Sequence, residues 1–253
     1  MKTTDSDHGE PGLRVIVTGA SQGIGRGIAR VLATSGFQLG LLARSVDLLA
    51  ELRDEIVAAD GTCFTAPCDL RDPQATQRAV DELVEKLGGL YGLVNNAGVV
   101  IRKDVFKLSL EEWGEMIDTN LNGLFYATRA VVPRLREQGC GHVINVSSIS
   151  GRLPLPGGCG YAASKYGVTG FSESLFHEVR DFGIKVTTVF PGSVDSASHR
   201  HAADEDTSWK VRPEEVGEAC RDLLLTSPGN CISRLEIRPL RRPPKFEFGV
   251  FRT

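Results

Sequence analysis

A tyrosine and a lysine four positions apart, in the stretch Tyr161–Lys165 (YAASK), are the residues of this chain best suited to move a proton. On a helix such a pair shares one face, so the Lys165 ammonium and the Tyr161 phenol meet at one site. A phenol, with a reference pKa of about 10, is a poor proton donor near neutrality. A neighbouring cation stabilises the phenolate and eases loss of the proton. Ser148, at the end of a predicted strand, supplies a hydroxyl able to hydrogen-bond a carbonyl oxygen. Tyr-x3-Lys also recurs by accident on amphipathic helices, so the pair acquires meaning from the elements that position it.

The first of those elements is Leu13–Gly27, LRVIVTGASQGIGRG. Leu13, Val15, Ile16 and Val17 read as a buried parallel strand. Gly19, Gly23 and Gly25 form a turn around Ser21, and from Ile24 the apolar residues return at helical spacing through Ile28, Ala29, Val31 and Leu32. A strand feeding a helix through glycines opens a dinucleotide-binding unit. Glycine lets the backbone approach a pyrophosphate, and the first amides of the helix meet its charge. The same turn also occurs for tight packing without a ligand.

Further strands are expected at Gln38–Ala43, Thr62–Pro67, Gly92–Asn95, His142–Val146, Lys185–Val189 and near Arg234–Arg238. Helices fall between them at Val46–Ala59, Pro73–Leu87, Leu110–Glu137 with a break near Asn120–Gly123, Tyr161–Phe182 and Pro213–Leu225. Strict alternation implies an α/β fold: one doubly wound, mostly parallel seven-stranded sheet in a single Rossmann-type domain over residues 13–238. A polar leader (residues 1–12) precedes it. A tail (residues 239–253) with Phe246, Phe248 and Phe251 follows, either docked on a neighbouring subunit or extended.

Strand ends in such sheets are where ligands bind. Arg44, after Ala43 and with no acidic residue beside it, reads as the selector of a 2′-phosphate, hence of NADP. Asp69 has two readings, a helix N-cap before Pro73 or, with Leu70, a contact to adenine. Asn96, Ala97 and Gly98 read as a turn or as a tight stop beneath a nucleotide. Leu153, Leu155, Val99, Val100 and Val194 suggest an apolar pocket, and Arg102, Lys103 and Arg152 leave room for an anionic group.

Composition excludes other classes. The net charge of −3 gives no basis for binding nucleic acid or an anionic membrane. No apolar run reaches transmembrane length, and the start lacks a signal peptide's apolar core, so a cytoplasmic location is expected. Six cysteines without a CxxC pair read as reduced thiols, and no metal site is expected. His199 and His201, in a polar flap at 193–212, read as solvated.

Together these motifs resemble the short-chain dehydrogenase/reductase family over about Leu13–Arg238. TGASQGIG at Thr18–Gly25 resembles the family's cofactor turn and NNAG at Asn95–Gly98 its sheet-stabilising motif. Asn120 in DTNLNG matches the tetrad asparagine, and Ser148 stands thirteen residues before Tyr161. The resemblance implies hydride transfer between a nicotinamide cofactor and a carbonyl, with Tyr161 as acid and Ser148 positioning the oxygen. Lys165 would bind the nicotinamide ribose, and Asn120 would hold a proton-relaying water. Pro191 and Gly192 match the turn after the sixth strand, with Val194 beside it and Ser196 standing for the usual threonine. Family members are dimers or tetramers built on the fourth and fifth crossover helices.

The family's Val-Asp-Gly-Gly ending is replaced by RLEIRPLRRPP. That change and the short flap favour a carbonyl reductase or hydroxy-acid dehydrogenase over a 3-oxoacyl-thioester reductase. Ile-Arg-Pro is similar to NADP-dependent members acting on 3-hydroxy acids. A non-catalytic NADP sensor would have no use for the intact set Asn120, Ser148, Tyr161 and Lys165, and an extended epimerase would need a larger substrate domain.

Overall fold

The strand before the glycine turn, β1 (Arg14–Thr18), pairs on both sides, with β2 (Gln38–Ala43) and β4 (Gly92–Asn95). The computed structural model describes residues 13–196 and 206–241. With β3 (Cys63–Pro67), β5 (Gly141–Val146), β6 (Ile184–Pro191) and β7 (Arg234–Ile237), these strands form one sheet in the order β3-β2-β1-β4-β5-β6-β7. Every pairing is parallel, so the expected sheet is present in purely parallel form. Chain order reverses between β1 and β4, and a cleft opens there at the carboxyl ends, as doubly wound topology requires.

Helices α1 (Gly23–Thr34), α2 (Val46–Ala58) and α7 (Pro213–Leu224) cover one face, packing on a core of Val15, Val17, Leu39, Leu41 and Ile144. On the other face α3 (Pro73–Leu87), α5 (Gly123–Gln138) and α6 (Cys159–Val179) cover Ile16, Leu42, Leu93 and Val143. Strands buried on both faces explain why the sequence shows continuous apolar runs there instead of alternation. Between α1 and α7 the approach is closest at Gly27, where a Cβ would lie 2.6 Å from Pro213.

Two starts and stops follow from side-chain chemistry. α4 (Leu110–Ile117) begins at Ser109, whose hydroxyl accepts from the Glu112 amide while Glu112 accepts from the Ser109 amide. α3 ends at Gly88, in left-handed conformation at φ 67°. Its start corrects one reading: the cap is Asp72, which accepts from the Gln74 and Ala75 amides at 2.9 Å, and not Asp69. The break foreseen near Asn120 is a single π-turn, Asp118–Asn122, between α4 and α5. The leader, His199 and His201, and the tail phenylalanines lie outside the described residues.

Candidate active site

Two cavities at the carboxyl edge share Ile24, Ser147, Tyr161 and Ser196. The first runs from the end of β2 to Lys165. It is lined by Gly19, Ser21, Gly23, Ile24, Arg44, Asp69, Leu70, Asn96, Ala97, Gly98, Tyr161, Lys165 and Ser196, thirteen of the residues that the sequence nominates for cofactor binding. Pro191, Gly192 and Val194 line the second cavity, together with Ser148. Gly25 lines neither. It holds the turn shut, because a Cβ there would lie 2.2 Å from the Gly19 carbonyl oxygen.

The glycine turn is fastened from behind by the end of β4. Asn96 Nδ2 donates to the carbonyls of Thr18 and Gly19 at 3.1 and 3.2 Å, and the amides of Asn96 and Ala97 donate to Thr18 Oγ1. A Cβ at Gly19, which has φ 65°, would stand 2.6 Å from the Ala97 Cα. Asn95 faces the other way, donating to Thr128 Oγ1 and Asn145 Oδ1 at 2.9 Å and so tying β4 to α5 and β5. The two asparagines thus do different jobs. Asn145, which continues the network to Ser172, has no local signal in the sequence, since its partners come from distant elements.

At the far end, α6 presents Tyr161 and Lys165 on one face as their spacing requires. Lys165 is buried, its ammonium 5.9 Å from the Tyr161 ring centroid and donating to the Val146 carbonyl at 2.9 Å. Loss of solvent pushes its pKa down from the ordinary 10.5 to about 8. Ser148 follows β5, and its Oγ accepts from the Ser150 amide at 3.1 Å. That bond occupies a lone pair and leaves the hydroxyl hydrogen to donate into the second cavity.

Asn120 is fully buried in the π-turn behind the site and lines neither cavity. Its Oδ1 accepts from the Val99 amide at 2.7 Å, and its Nδ2 donates to the Val99 carbonyl and to Ser164 Oγ, both at 2.9 Å. It braces α6 against the loop after β4. Gly98 must be small to pass between them, since its Cβ would meet Asn120 Oδ1 at 3.1 Å and Lys165 Nζ at 3.6 Å.

The cation readings divide. Arg102 lines the second cavity, but Lys103 is paired with Glu112 and Arg152 with Glu236, the latter at 2.7 Å. Lys210, which sequence reasoning passed over, lines that cavity because Val194 and Val211 form a parallel bridge that closes the loop. In the first cavity Arg71 holds the Asp69 carboxyl below the usual carboxylate range, with Arg44 adding a smaller pull.

The family model described as short chain dehydrogenase matches residues 14–207. Sulfoacetaldehyde reductase 2 of Chromohalobacter salexigens is 35% identical over 239 residues, covering 90% of this chain and 94% of its own. An alcohol dehydrogenase from the archaeon Thermococcus sibiricus, solved with 5-hydroxy-NADP, superposes with a TM-score of 0.85 at 28% identity, covering 92% of this chain and 99% of that one. Actinorhodin polyketide ketoreductase, a single-substitution variant solved with NADPH, gives a TM-score of 0.83 at 28% identity, covering 90% of this chain and 96% of that one. A match of this extent, on a sheet of this order, leaves one assignment: the chain belongs to the short-chain dehydrogenases and is an oxidoreductase acting between CH–OH and C=O groups.

Proposed function

We propose that the chain is an NADP-dependent carbonyl reductase or hydroxy-acid dehydrogenase in which Tyr161 is the acid, Ser148 the carbonyl donor, Lys165 the ribose ligand and Asn120 a brace. The observation that carries this reading is the convergence of Tyr161, Ser148 and Lys165 where the two cavities meet. Bound in the first cavity, a reduced nicotinamide supplies hydride. The residues fit such a group. The buried Lys165 ammonium spends one of its three hydrogens on Val146, so two remain for ribose hydroxyls. Thr119 Oγ1 lines the same cavity, buried and without a partner among the described residues.

Within that frame Ser148 draws the carbonyl oxygen toward Tyr161, and the phenol gives it a proton as the carbon becomes tetrahedral. The Lys165 charge favours the phenolate that results. Both amide hydrogens of Asn120 are taken by Val99 and Ser164, so its side chain positions α6 and is not the donor of a proton relay.

NADP is favoured over NAD by Arg44 at the end of β2, with Ala43 before it and Ser45 after it, all three beside the cavity. The NADP and NADPH complexes of the neighbouring structures support the same choice. Steady-state kinetics with both cofactors and a panel of ketones, 3-oxoacyl thioesters and hydroxy acids test it. NADPH-linked reduction is expected, and a clear preference for NADH would overturn the cofactor assignment.

The working form is a homodimer or homotetramer built on α5 and α6. Support comes from their outer surfaces, where Phe125 stays 43% exposed beside the partly buried Phe171, ring edge to face at 6.2 Å. Light scattering should give at least twice the chain mass of 27.4 kDa. A cytoplasmic setting suits the six free thiols. Among the described residues no helix is long and apolar enough to cross a membrane.

A further inference from the structure

The first cavity holds a hydroxyl to which the assignments above give no role. Thr119 lines it from the π-turn Asp118–Asn122, and its Oγ1 is shielded from solvent with no hydrogen-bond partner among the described residues. Other helical threonines return the hydroxyl to the carbonyl four residues back. Thr128 does so to Leu124, Thr169 to Lys165 and Thr76 to Asp72, at 2.8, 3.0 and 2.8 Å. Thr119 makes no such bond. A buried hydroxyl left unpaired is costly, so one kept in that state at a cavity wall favours an occupant that pairs with it.

The neighbours of Thr119 tell which end of the cavity it serves. Gly123, four positions on and so on the same side of the turn, lies against Leu70, where a Cβ would stand 2.9 Å from the Leu70 Cβ. Asn120 is turned the other way, to Val99 and Ser164. Leu70 and Asp69 line the cavity with Thr119, and Arg44 is close enough to Asp69 to draw its carboxyl down. This is the end that the 2′-phosphate reading of Arg44 gives to the adenosine half.

Asp69, the acid of that end, is already engaged by the chain itself. The Arg71 amide and Nε donate to its Oδ1 at 3.0 Å, and Nε and Nη2 donate to its Oδ2 at 3.0 and 2.6 Å. Four contacts match the lone pairs that a carboxylate offers. Thr119 therefore brings to this side a polar group that the protein has not used.

Resting on the NADP reading above, we propose that Thr119 is a further cofactor ligand, its hydroxyl hydrogen-bonding the adenosine half of NADP. It takes no part in moving hydride or proton.

Isothermal titration calorimetry with NADPH, and with 2′,5′-ADP as the adenosine end alone, tests this without turnover. Thr119→Val keeps the side-chain shape and removes only the hydroxyl. It should weaken both ligands by about three- to ten-fold, the worth of one neutral hydrogen bond. Thr119→Ser keeps the hydroxyl and should bind both much as wild type does. Thr119→Ser and Thr119→Ala differ only in that group, and they repeat the comparison should the valine variant fail to fold.

If Thr119→Val binds both ligands as tightly as wild type, or Thr119→Ala as tightly as Thr119→Ser, the inference fails and the cofactor reading stands. A loss confined to NADPH, with 2′,5′-ADP unchanged, would move the contact to the nicotinamide half and overturn the assignment. A wild-type protein that binds neither ligand removes the NADP reading itself, and the role of Thr119 with it.

Discussion

The first cavity is built around the glycine turn and the strand ends beside it, and the second takes much of its lining from loops. At the end of β1 the fit rests on carbonyls and amides. Gly25 abuts the Gly19 carbonyl, and Asn96 clamps Thr18 and Gly19 from below. Beyond Tyr161 the walls are Arg102, Leu155, Trp209 and Lys210, drawn from three separate loops. Backbone geometry tolerates almost no change, whereas loop side chains can be exchanged without disturbing the sheet. In the proposed reading the first end would hold a common cofactor, and the second would be free to vary with the substrate.

The largest effect should come where the two regions touch. Tyr161→Phe keeps the ring that packs beside Lys165 and removes the assigned proton donor. Turnover should fall about 10²- to 10⁴-fold while NADPH binding persists. Rapid-quench or steady-state assays alongside fluorescence titration check both halves, and near wild-type turnover would remove Tyr161 from the role.

A backbone lesion comes next. Gly25→Ala puts a Cβ 2.2 Å from the Gly19 oxygen, which cannot move without disturbing the Asn96 clamp. We expect NADPH affinity to drop more than about ten-fold and stability to fall by about 1–3 kcal/mol. A variant that binds and melts like wild type would show the turn to be softer than its contacts indicate.

Side-chain selectivity at the β2 end should be easier to alter. Losing Arg44 alone is expected to weaken NADP by roughly ten- to a hundred-fold, the worth of one charge-assisted contact. Ala43→Asp combined with Arg44→Ser should turn preference toward NAD by adding repulsion to the lost contact. The ratio of kcat/KM for the two cofactors measures it, and an unchanged ratio would discard Arg44 as the selector. Gln22 also lines the cavity, so nothing basic in the glycine turn reinforces Arg44, and the expected preference is moderate.

The smallest effect concerns protons. Burial lowers the Lys165 pKa to about 8, from an ordinary value of 10.5. Between those values the unfolded chain holds the proton and the folded chain releases it, so the native state gains stability as pH rises. At neutral pH the buried charge imposes its full penalty, at most about 3 kcal/mol. Measured against Lys165→Met, the wild-type apoprotein should therefore become relatively more stable from about pH 8 to pH 10. Denaturant melts at several pH values follow this. A difference that stays flat would mean that the ammonium is better solvated than its surroundings suggest.

Local chemistry in the sequence was enough to settle the elements and their order. Apolar runs mark strands buried on both faces, glycines mark the turns that need left-handed backbone, and Tyr161 and Lys165 share a helical face because of their spacing. The capping box at Ser109 and the interruption near Asn120 were legible for the same reason, since each depends on residues within one turn of the chain. The cap of α3 is just as local, since Asp72 accepts from the Gln74 and Ala75 amides two and three residues on, although one reading of Asp69 placed it three residues earlier. Tertiary structure decided what depends on distant partners. The side chain of Asn120 is spent on Val99 and Ser164, from a loop and a helix remote in sequence. Of the cations that the sequence offers to an anionic group, Lys103 is paired with Glu112 and Arg152 with Glu236, while Arg102 lines the second cavity. A sequence fixes which charges a chain carries, but which of them meet an acid and which face a cavity is decided only when the loops are folded together.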